Sequence, residues 1–528
     1  MKLNEACGIA KLLRTILIMI FIVLISSCKK EVKVDVLISG AKVFDGTNTP
    51  SKAMEVGITG DRISYIGEKG IDEITAKTTI EAEGLYLAPG FIDPHTHVDR
   101  ELSDPQQKGN VRYLKQGVTT VFAGNDGSSP MPIKRKLDEW ERNGIGTNAA
   151  LLVGHGSVRR VVMGMKAEEA SPEKLEEMKS VVEKSMEEGA FGISTGLFYA
   201  PGSFANMKEV IELSKVVAAH KGIYDTHMRD EGSYNIGLMN AVKETIEIGK
   251  ISGVDLHISH IKCLGTDVWD HSPEVVQLVE EARRSGLQVT ANQYPYLASR
   301  TTLKAALVPR WAEDGGYEDM VSRFDQTDLR DSIIVGIKEN IRKRGGPESL
   351  IFSDAKEEEM NGLSLGDMAK QLGLSLPETT MEVLKKDGSI QVISFNMKES
   401  DLNLFMQQPW VMTGSDGGAG HPRQFGTFSR KMRKYVIEEK VISLPFMVHS
   451  SSGLTAETFK IKDRGFVRTG YYADLILFDP SKVHDRATFE NPYEEAVGME
   501  YVWVNGQMAI EKGEYTGQLA GKALRHEP

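Results

Sequence analysis

The sequence predicts an α/β protein, a (β/α)8 barrel joined to a small β-sandwich built from both ends of the chain. Three observations carry this expectation. Between about residues 86 and 413, eight short apolar runs alternate with stretches of helical periodicity, and eight is the strand count of such a barrel. Both chain ends instead show short β-like runs broken by turns, and neither end can bury a face alone. The 528 residues are 41% hydrophobic and 26% charged, an ordinary globular composition that excludes a wholly disordered chain.

Taken in order, the chain opens with Lys2, Lys11 and Arg14 ahead of an apolar run over residues 16–25, and Ser26, Ser27 and Cys28 come next. This is the pattern of an export signal over residues 1–27, and the run is short for a membrane-spanning helix. Ile25-Ser26-Ser27-Cys28 also resembles a bacterial lipobox, in which Cys28 becomes the lipidated first residue. The alternative is a simple signal peptide or an uncleaved anchor. The expectation is an exported bacterial membrane lipoprotein facing the periplasm, with membrane contact only through Cys28.

A charged tether is expected over residues 28–34, then a composite β-sandwich over 35–86 and 465–528. The barrel is expected over 87–464, with an insertion of helical patterning near 301–400. Of the three cysteines, Cys7 lies in the signal and Cys28 at the anchor, so Cys263 is left alone and no intrachain disulfide framework is available. The net charge of −11 comes without a Lys/Arg cluster, which excludes the electrostatic footprint of nucleic-acid binding.

In such barrels the active site lies at the carboxyl ends of the strands. The eight runs cover 86–91, 118–123, 149–153, 190–194, 223–226, 255–259, 287–291 and 410–413. Four of them end in residues that can bind metal: the first leads to His95 and His97, the fifth to His227, the sixth to His260 and the eighth to Asp416, while the second leads to Asn125-Asp126-Gly127. Imidazole nitrogen and carboxylate oxygen suit Zn²⁺. On an extended strand His95 and His97 point to the same side and can chelate one ion. A carboxylate beside a zinc-activated water can take its proton and deliver it to a leaving amine. His257 is offset from His260 by an odd number and is expected to face away. An isolated His-x-His is weak evidence for a metal, but five such residues at the ends of the strands are strong evidence.

Several motifs then resemble one family in order: 88–97 (APGFIDPHTH), 189–197 (GAFGISTGL), 226–232 (THMRDEG), 259–262 (SHIK), 293–296 (QYPY), 414–416 (GSD), 421–423 (HPR) and 470–479 (GYYADLILFD). They look like the D-aminoacylases (N-acyl-D-amino-acid deacylases) of the amidohydrolase superfamily, from about residue 35 to the end. The resemblance implies zinc in the barrel mouth, one or two ions. His227 and His260 would hold one position, and His95, His97 and Asp416 would surround the other. Asp416 would be general base and then general acid. It implies a small-molecule N-acyl-D-amino acid as substrate, with Arg423 gripping the carboxylate and Lys262, Tyr199 and Tyr294 or Tyr296 assisting.

One departure stands out. The family pattern ends the second strand in Gly-Asn-Cys-Gly with a thiolate zinc ligand, whereas this chain has Gly124-Asn125-Asp126-Gly127. A carboxylate is a harder ligand and can bridge two ions, so Asp126 is expected to ligate and to admit a divalent metal other than zinc. The spacing from Asp416 to Arg423 is also shorter than the family suggests. His155 and Arg159 are expected to support the site. Arg229, Asp230 and Glu231 are candidates for orienting His227. A cyclic-amide hydrolase or D-residue dipeptidase of the same superfamily remains as an alternative, although the strand-four lysine usual there is replaced by Ser194-Thr195. A non-catalytic ligand-binding lipoprotein is the alternative from another class.

Overall fold

The structure, a computed structural model, describes residues 31–527. The expected signal, Cys28 and the start of the tether lie outside the described residues.

Eight parallel strands form the barrel. They are Phe91–Asp93, Val118–Ala123, Asn148–Leu151 continued by Val153–Gly154, Gly192–Gly196, Ile223–His227, Asp255–Ile258, Val289–Gln293 and Val411–Thr413. Each pairs in parallel with the next. The ring closes beyond the last strand, where Asp416 N–H donates to His95 O (2.9 Å) and His97 N–H to Gly417 O (3.3 Å). The seam is therefore made by the segments that carry the candidate site. Strand residues are buried almost without exception, as expected of parallel strands covered on both faces. Helices such as Pro172–Glu187, capped by Ser171, and Met207–Ala219, capped by Asn206, cover the outside.

The first apolar run splits in two. Tyr86–Pro89 pairs antiparallel with Leu475–Phe478 in the end module, and only Phe91–Asp93 belongs to the barrel. Gly90 is the pivot: a Cβ there would fall 2.2 Å from Thr119 Oγ1, so only glycine lets the chain pass so close. The boundary expected at 86/87 thus falls inside a strand of the end module. The seventh strand also starts two residues later than its apolar run. Leu287 N–H is used by the preceding helix end, donating to Ala282 O (3.2 Å).

The two β-rich ends do join. One sheet runs, by neighbours, through Glu514–Tyr515, Gln507–Glu511, Met499–Val504, Leu475–Phe478, Tyr86–Pro89, Glu31–Val43, Lys52–Thr59 and Arg62–Gly67, with Glu73–Glu81 paired to Glu31–Val43. Its core mixes both ends, including Ile38, Val56 and Leu87 with Leu475, Leu477 and Trp503. The expected tether is shorter than 28–34. Val32 and Val34 alternate with Glu31 and Lys33 and pack with Ile74 and Ala76, so the strand begins at Glu31. Within the expected span 465–528, residues 465–467 form no strand, and the C-terminal tail leaves the module for the barrel, where Ala520 and Ala523 enter the main core.

The insertion holds a sheet that helical patterning does not reveal. Ala298–Thr302, Gln391–Phe395 and Leu350–Ser353 form three antiparallel strands with Gln391–Phe395 in the middle. Helices including Thr327–Lys343 and Leu376–Lys386 pack on it around a separate core of Leu303, Ile333, Ile337, Leu350, Phe352 and Val392.

A buried polar cluster fastens the end module to the barrel. The Asp474 carboxylate pairs with Arg464 and accepts from Asn505 N–H (2.7 Å) and from Asn148 Nδ2 (3.1 Å) on the third barrel strand. Removing one member of a buried pair leaves an uncompensated charge. Asp474→Ala is therefore expected to lower unfolding stability by about 3–5 kcal/mol, read from denaturant unfolding. A loss below ~1 kcal/mol would show that the cluster does not join the two parts.

Candidate metal centre

Three of the candidate ligands have positive φ: Asp126 (54°), His260 (34°) and Asp416 (47°). All three stand just beyond barrel strands, where a turn into this region swings the side chain over the barrel mouth. Non-glycine residues adopt it uncommonly, with Asp and His among the more tolerant. Such strain persists where surrounding structure fixes it, and it clusters at functional sites.

The side chains converge on the Asp126 carboxylate. Its Oδ1 lies 3.4 Å from His95 Nε2, 3.3 Å from His260 Nε2 and 3.6 Å from His227 Nδ1, and its Oδ2 lies 3.5 Å from His97 Nε2. Asp416 Oδ1 is 3.2 Å from His97 Nε2 and 3.7 Å from His95 Nε2. Two ligand sets result, His95–His97–Asp126–Asp416 and Asp126–His227–His260, and Asp126 belongs to both. These atoms fit a metal. Among the described residues, Asp126 Oδ1, His95 Nδ1 and Nε2 and His227 Nδ1 are buried without a hydrogen-bond partner, a state that buried polar atoms otherwise avoid. Nitrogen and carboxylate donors suit Zn²⁺, Mn²⁺ or a similar divalent ion, and a carboxylate at the shared position suits one ion or two.

A second layer holds the ligands. Glu231 Oε1 is 2.9 Å from His260 Nδ1, and its Oε2 is 3.4 Å from His227 Nε2, so one carboxylate addresses both histidines. Asn292 Oδ1 accepts from His260 N–H (2.9 Å). Asp93 Oδ1 accepts from His95 N–H (3.1 Å) and Ser415 N–H (3.0 Å), tying the first strand to the Asp416 turn. Asp225 accepts from Asn125 Nδ2 (3.0 Å) and Ser259 Oγ (2.7 Å), linking the turns before Asp126 and His260. Asp93, Asp225 and Asn292 escape sequence reading, though Asp225 sits two residues before His227 on the same strand face. Arg229 and Asp230 do not orient His227. Arg229 pairs with Glu244 (2.9 Å), and Asp230 accepts from the N–H groups of Gly232, Asn235 and Gly237. His257 hydrogen-bonds Thr290 and Asn292, and His155 and Arg159 both meet Glu209.

The residues expected at the substrate sit close by, in unequal states. Arg423 is buried, with Nη1 2.8 Å from Asp416 Oδ2. That contact lacks the alignment of a hydrogen bond, so among the described residues Nε and Nη1 both remain without an acceptor. Burial would raise the Asp416 carboxyl, but Arg423, His260, His97 and His95 together outweigh it and hold the group well below the usual carboxylate range. Asp416 is thus ionised at neutral pH. Lys262 Nζ is already engaged, 2.7 Å from Glu231 Oε1 and 2.7 Å from His260 Nδ1, and so supports the metal histidines. The Tyr199 hydroxyl meets Thr301 Oγ1 (3.3 Å), and its ring meets His227 edge-on. The Tyr294 ring lies 4.7 Å beneath the Arg423 guanidinium, while Tyr296 points to Pro422 O (3.4 Å). A cavity of about 270 Å³ opens above, lined by His97, Asp126, Tyr199, Arg300, Asp416 and Arg423 among others.

A parallel barrel with four histidines and two aspartates gathered at the carboxyl ends of its strands defines a metal-dependent amidohydrolase. A model of the amidohydrolase family matches residues 78–299. A D-aminoacylase from Alcaligenes xylosoxydans xylosoxydans is 34% identical over 517 residues, covering 93% of this chain and 97% of that protein. The chain belongs to the D-aminoacylase family. A crystal structure of a D-aminoacylase superposes with a TM-score of 0.79 at 32% identity, over 93% of this chain and all of that one (100%). A structure of N-acyl-D-glutamate deacylase from Bordetella bronchiseptica, with zinc and a phosphonate mimic of the tetrahedral intermediate, gives 0.80 at 28% identity, over 94% of this chain and 100% of that one.

Loss of an outer partner of a metal ligand typically costs about 10–100-fold in metal affinity. Chelator competition should place Glu231→Gln within that range and Asp126→Ala beyond it. Unchanged affinity in Asp126→Ala would put its carboxylate outside the ligand set.

Proposed function

We propose that this protein hydrolyses the amide bond of N-acyl-D-amino acids, adding water to release a carboxylate and a free D-amino acid. The observation that carries this reading is the juxtaposition of an ionised Asp416 with Arg423, whose Nε and Nη1 are buried without acceptors among the described residues, beside the histidine cluster. A guanidinium fork grips a carboxylate bidentately and would fix the amino-acid end of the substrate. Family membership at the identities above supports the same reaction class.

Zinc is the proposed metal, as one or two ions, held by His95, His97, Asp126, His227 and His260. When bound, zinc polarises the substrate carbonyl and lowers the pKa of water. The chain's own residues do the rest. Asp416, beside His97 and His95, takes the proton of the attacking water and returns it to the departing amine nitrogen. Before that transfer, as substrate binds, Arg423 exchanges its unaligned contact with Asp416 for the substrate carboxylate and so frees the base. Tyr199 borders the cavity, Tyr294 supports Arg423 from beneath, and Lys262 acts through Glu231 and His260 rather than on the substrate.

The barrel that begins at Phe91 is proposed as the hydrolase domain and the insertion as the cover over its mouth, since Arg300, Thr301, Thr302 and Gln391 line the cavity. Export and a lipid anchor at Cys28 are proposed on the basic, apolar and Ser-Ser-Cys pattern of the first 28 residues. Globomycin-sensitive processing and membrane retention lost on Cys28→Ala would test the anchor.

Replacing Asp416 by Asn is expected to keep the metal and lower kcat by about 10²–10⁴-fold, the range for a positioned acid–base group. Near-normal turnover would remove Asp416 from that role. A screen of paired N-acyl-D and N-acyl-L amino acids with the signal-less protein and Zn²⁺ should show turnover confined to the D series. Activity confined to the L series would overturn the stereochemical assignment.

A further inference from the structure

The cavity carries more positive charge than a simple N-acyl amino acid needs. Besides Arg423, it is lined by Arg300 and Arg160, while among the described residues its only lining carboxylates are Asp126 and Asp416. Both of those are taken up by the metal cluster. Arg300 lies on the strand Ala298–Thr302 of the insertion. Among the described residues its Nε is buried without an acceptor, and its single ion pair is to Asp354 (3.3 Å), itself 50% exposed. An ion pair of that kind contributes little. Gly418 makes room for the guanidinium: a Cβ there would fall 2.6 Å from Arg300 Nη1. Arg300 therefore lies across the loop beyond Asp416, beside the catalytic cleft. Burial and the neighbouring Arg423 charge lower its pKa to about 10, so it stays cationic at neutral pH at a cost that a bound anion would offset. Arg160, exposed at the rim on the helix His155–Met163, adds a further positive charge.

We propose that Arg300, assisted by Arg160, forms a second anion subsite, so that the preferred substrates carry another carboxylate besides the one held by Arg423. This inference rests on the deacylase reading for the identity of the substrate but not for the existence of the subsite. The second carboxylate can come from an acidic D-side chain or from a dicarboxylic acyl group, and both present the same chemistry to a guanidinium.

The test uses the full chain with Zn²⁺. N-acetyl-D-glutamate against N-acetyl-D-glutamine probes the side chain, and N-succinyl-D-leucine against N-acetyl-D-leucine probes the acyl group. A charge-assisted bond predicts at least about tenfold higher kcat/KM for the dianion in one pair, expressed mainly in KM. The pair that shows it identifies the source. Arg300→Gln should lower kcat/KM at least about fivefold more for the dianion than for its neutral counterpart. Asp354→Asn removes the competing carboxylate and should lower KM for the dianion, a change opposite to that from loss of a structural ion pair. No dianion preference in either pair, or a preference that survives Arg300→Gln, would overturn the proposal. Calorimetry with glutarate and butyrate gives a readout without turnover. Tighter glutarate binding that is lost in Arg300→Gln supports the subsite even if no N-acyl amino acid is hydrolysed, in which case only the deacylase reading falls. Equal binding of the two acids overturns the subsite.

Discussion

The Asp126 carboxylate is the group around which the functional end of this barrel is organised. Four imidazoles from the first, fifth and sixth strand ends face it at 3.3–3.6 Å. Such a buried assembly is stable only if its charge is balanced, since an isolated carboxylate in apolar surroundings would protonate. A divalent cation at the shared position would provide that balance and would satisfy Asp126 Oδ1, His95 Nε2 and His227 Nδ1, three of the orphaned atoms. Thiolate would serve as a ligand there too. Carboxylate differs in being harder and in offering two oxygens, and here Oδ1 faces His95, His227 and His260 while Oδ2 faces His97.

That convergence places demands on the backbone. Asp126, His260 and Asp416 are all turned into positive φ, a cost on the order of 1–3 kcal/mol each when no context relieves it. The relief is visible in the hydrogen bonds behind them. Asp225 links the turns that present Asp126 and His260, and Asp93 links the turns that present His95 and Asp416. Asp416 N–H and His95 O also make the bond that closes the barrel. The site and the closure of the fold are thus one piece of structure, and positional accuracy at the metal depends on the integrity of the ring.

Outside this layer the chain supplies what distinguishes a hydrolase of amino-acid derivatives from a generic metal barrel. Arg423 stands beside Asp416 over the Tyr294 ring. The insertion brings Arg300 and the Thr301–Tyr199 contact from the far side of the cavity. Because the insertion has its own hydrophobic core, its wall of the cavity can vary without disturbing the metal ligands.

The candidate metal ligands were legible in the sequence because each sits within a few residues of the end of an apolar run, and strand geometry sends such residues to the same end of a barrel. Asp126 was legible as a candidate from the same position, with the resemblance to D-aminoacylases marking it as a substitution. Other features needed the three-dimensional structure. The run 86–91 is continuous in hydrophobicity, and only the close approach of Gly90 to Thr119 divides it between module and barrel. The strands at 350–353 and 391–395 are too short for their periodicity to stand out among helices, and they gain their character from pairing with each other. The partners of Lys262, Arg423 and Arg300 are contributed by segments that the fold, not local sequence, brings together, so whether each cation is spent on the protein or left for a substrate could not be read in advance. Sequence alone determined the ligand types, their order and the barrel that gathers them, since those depend on local periodicity. Tertiary structure decided how the charges at the cavity are paired, because pairing depends on distances between strands and loops that lie far apart along the chain.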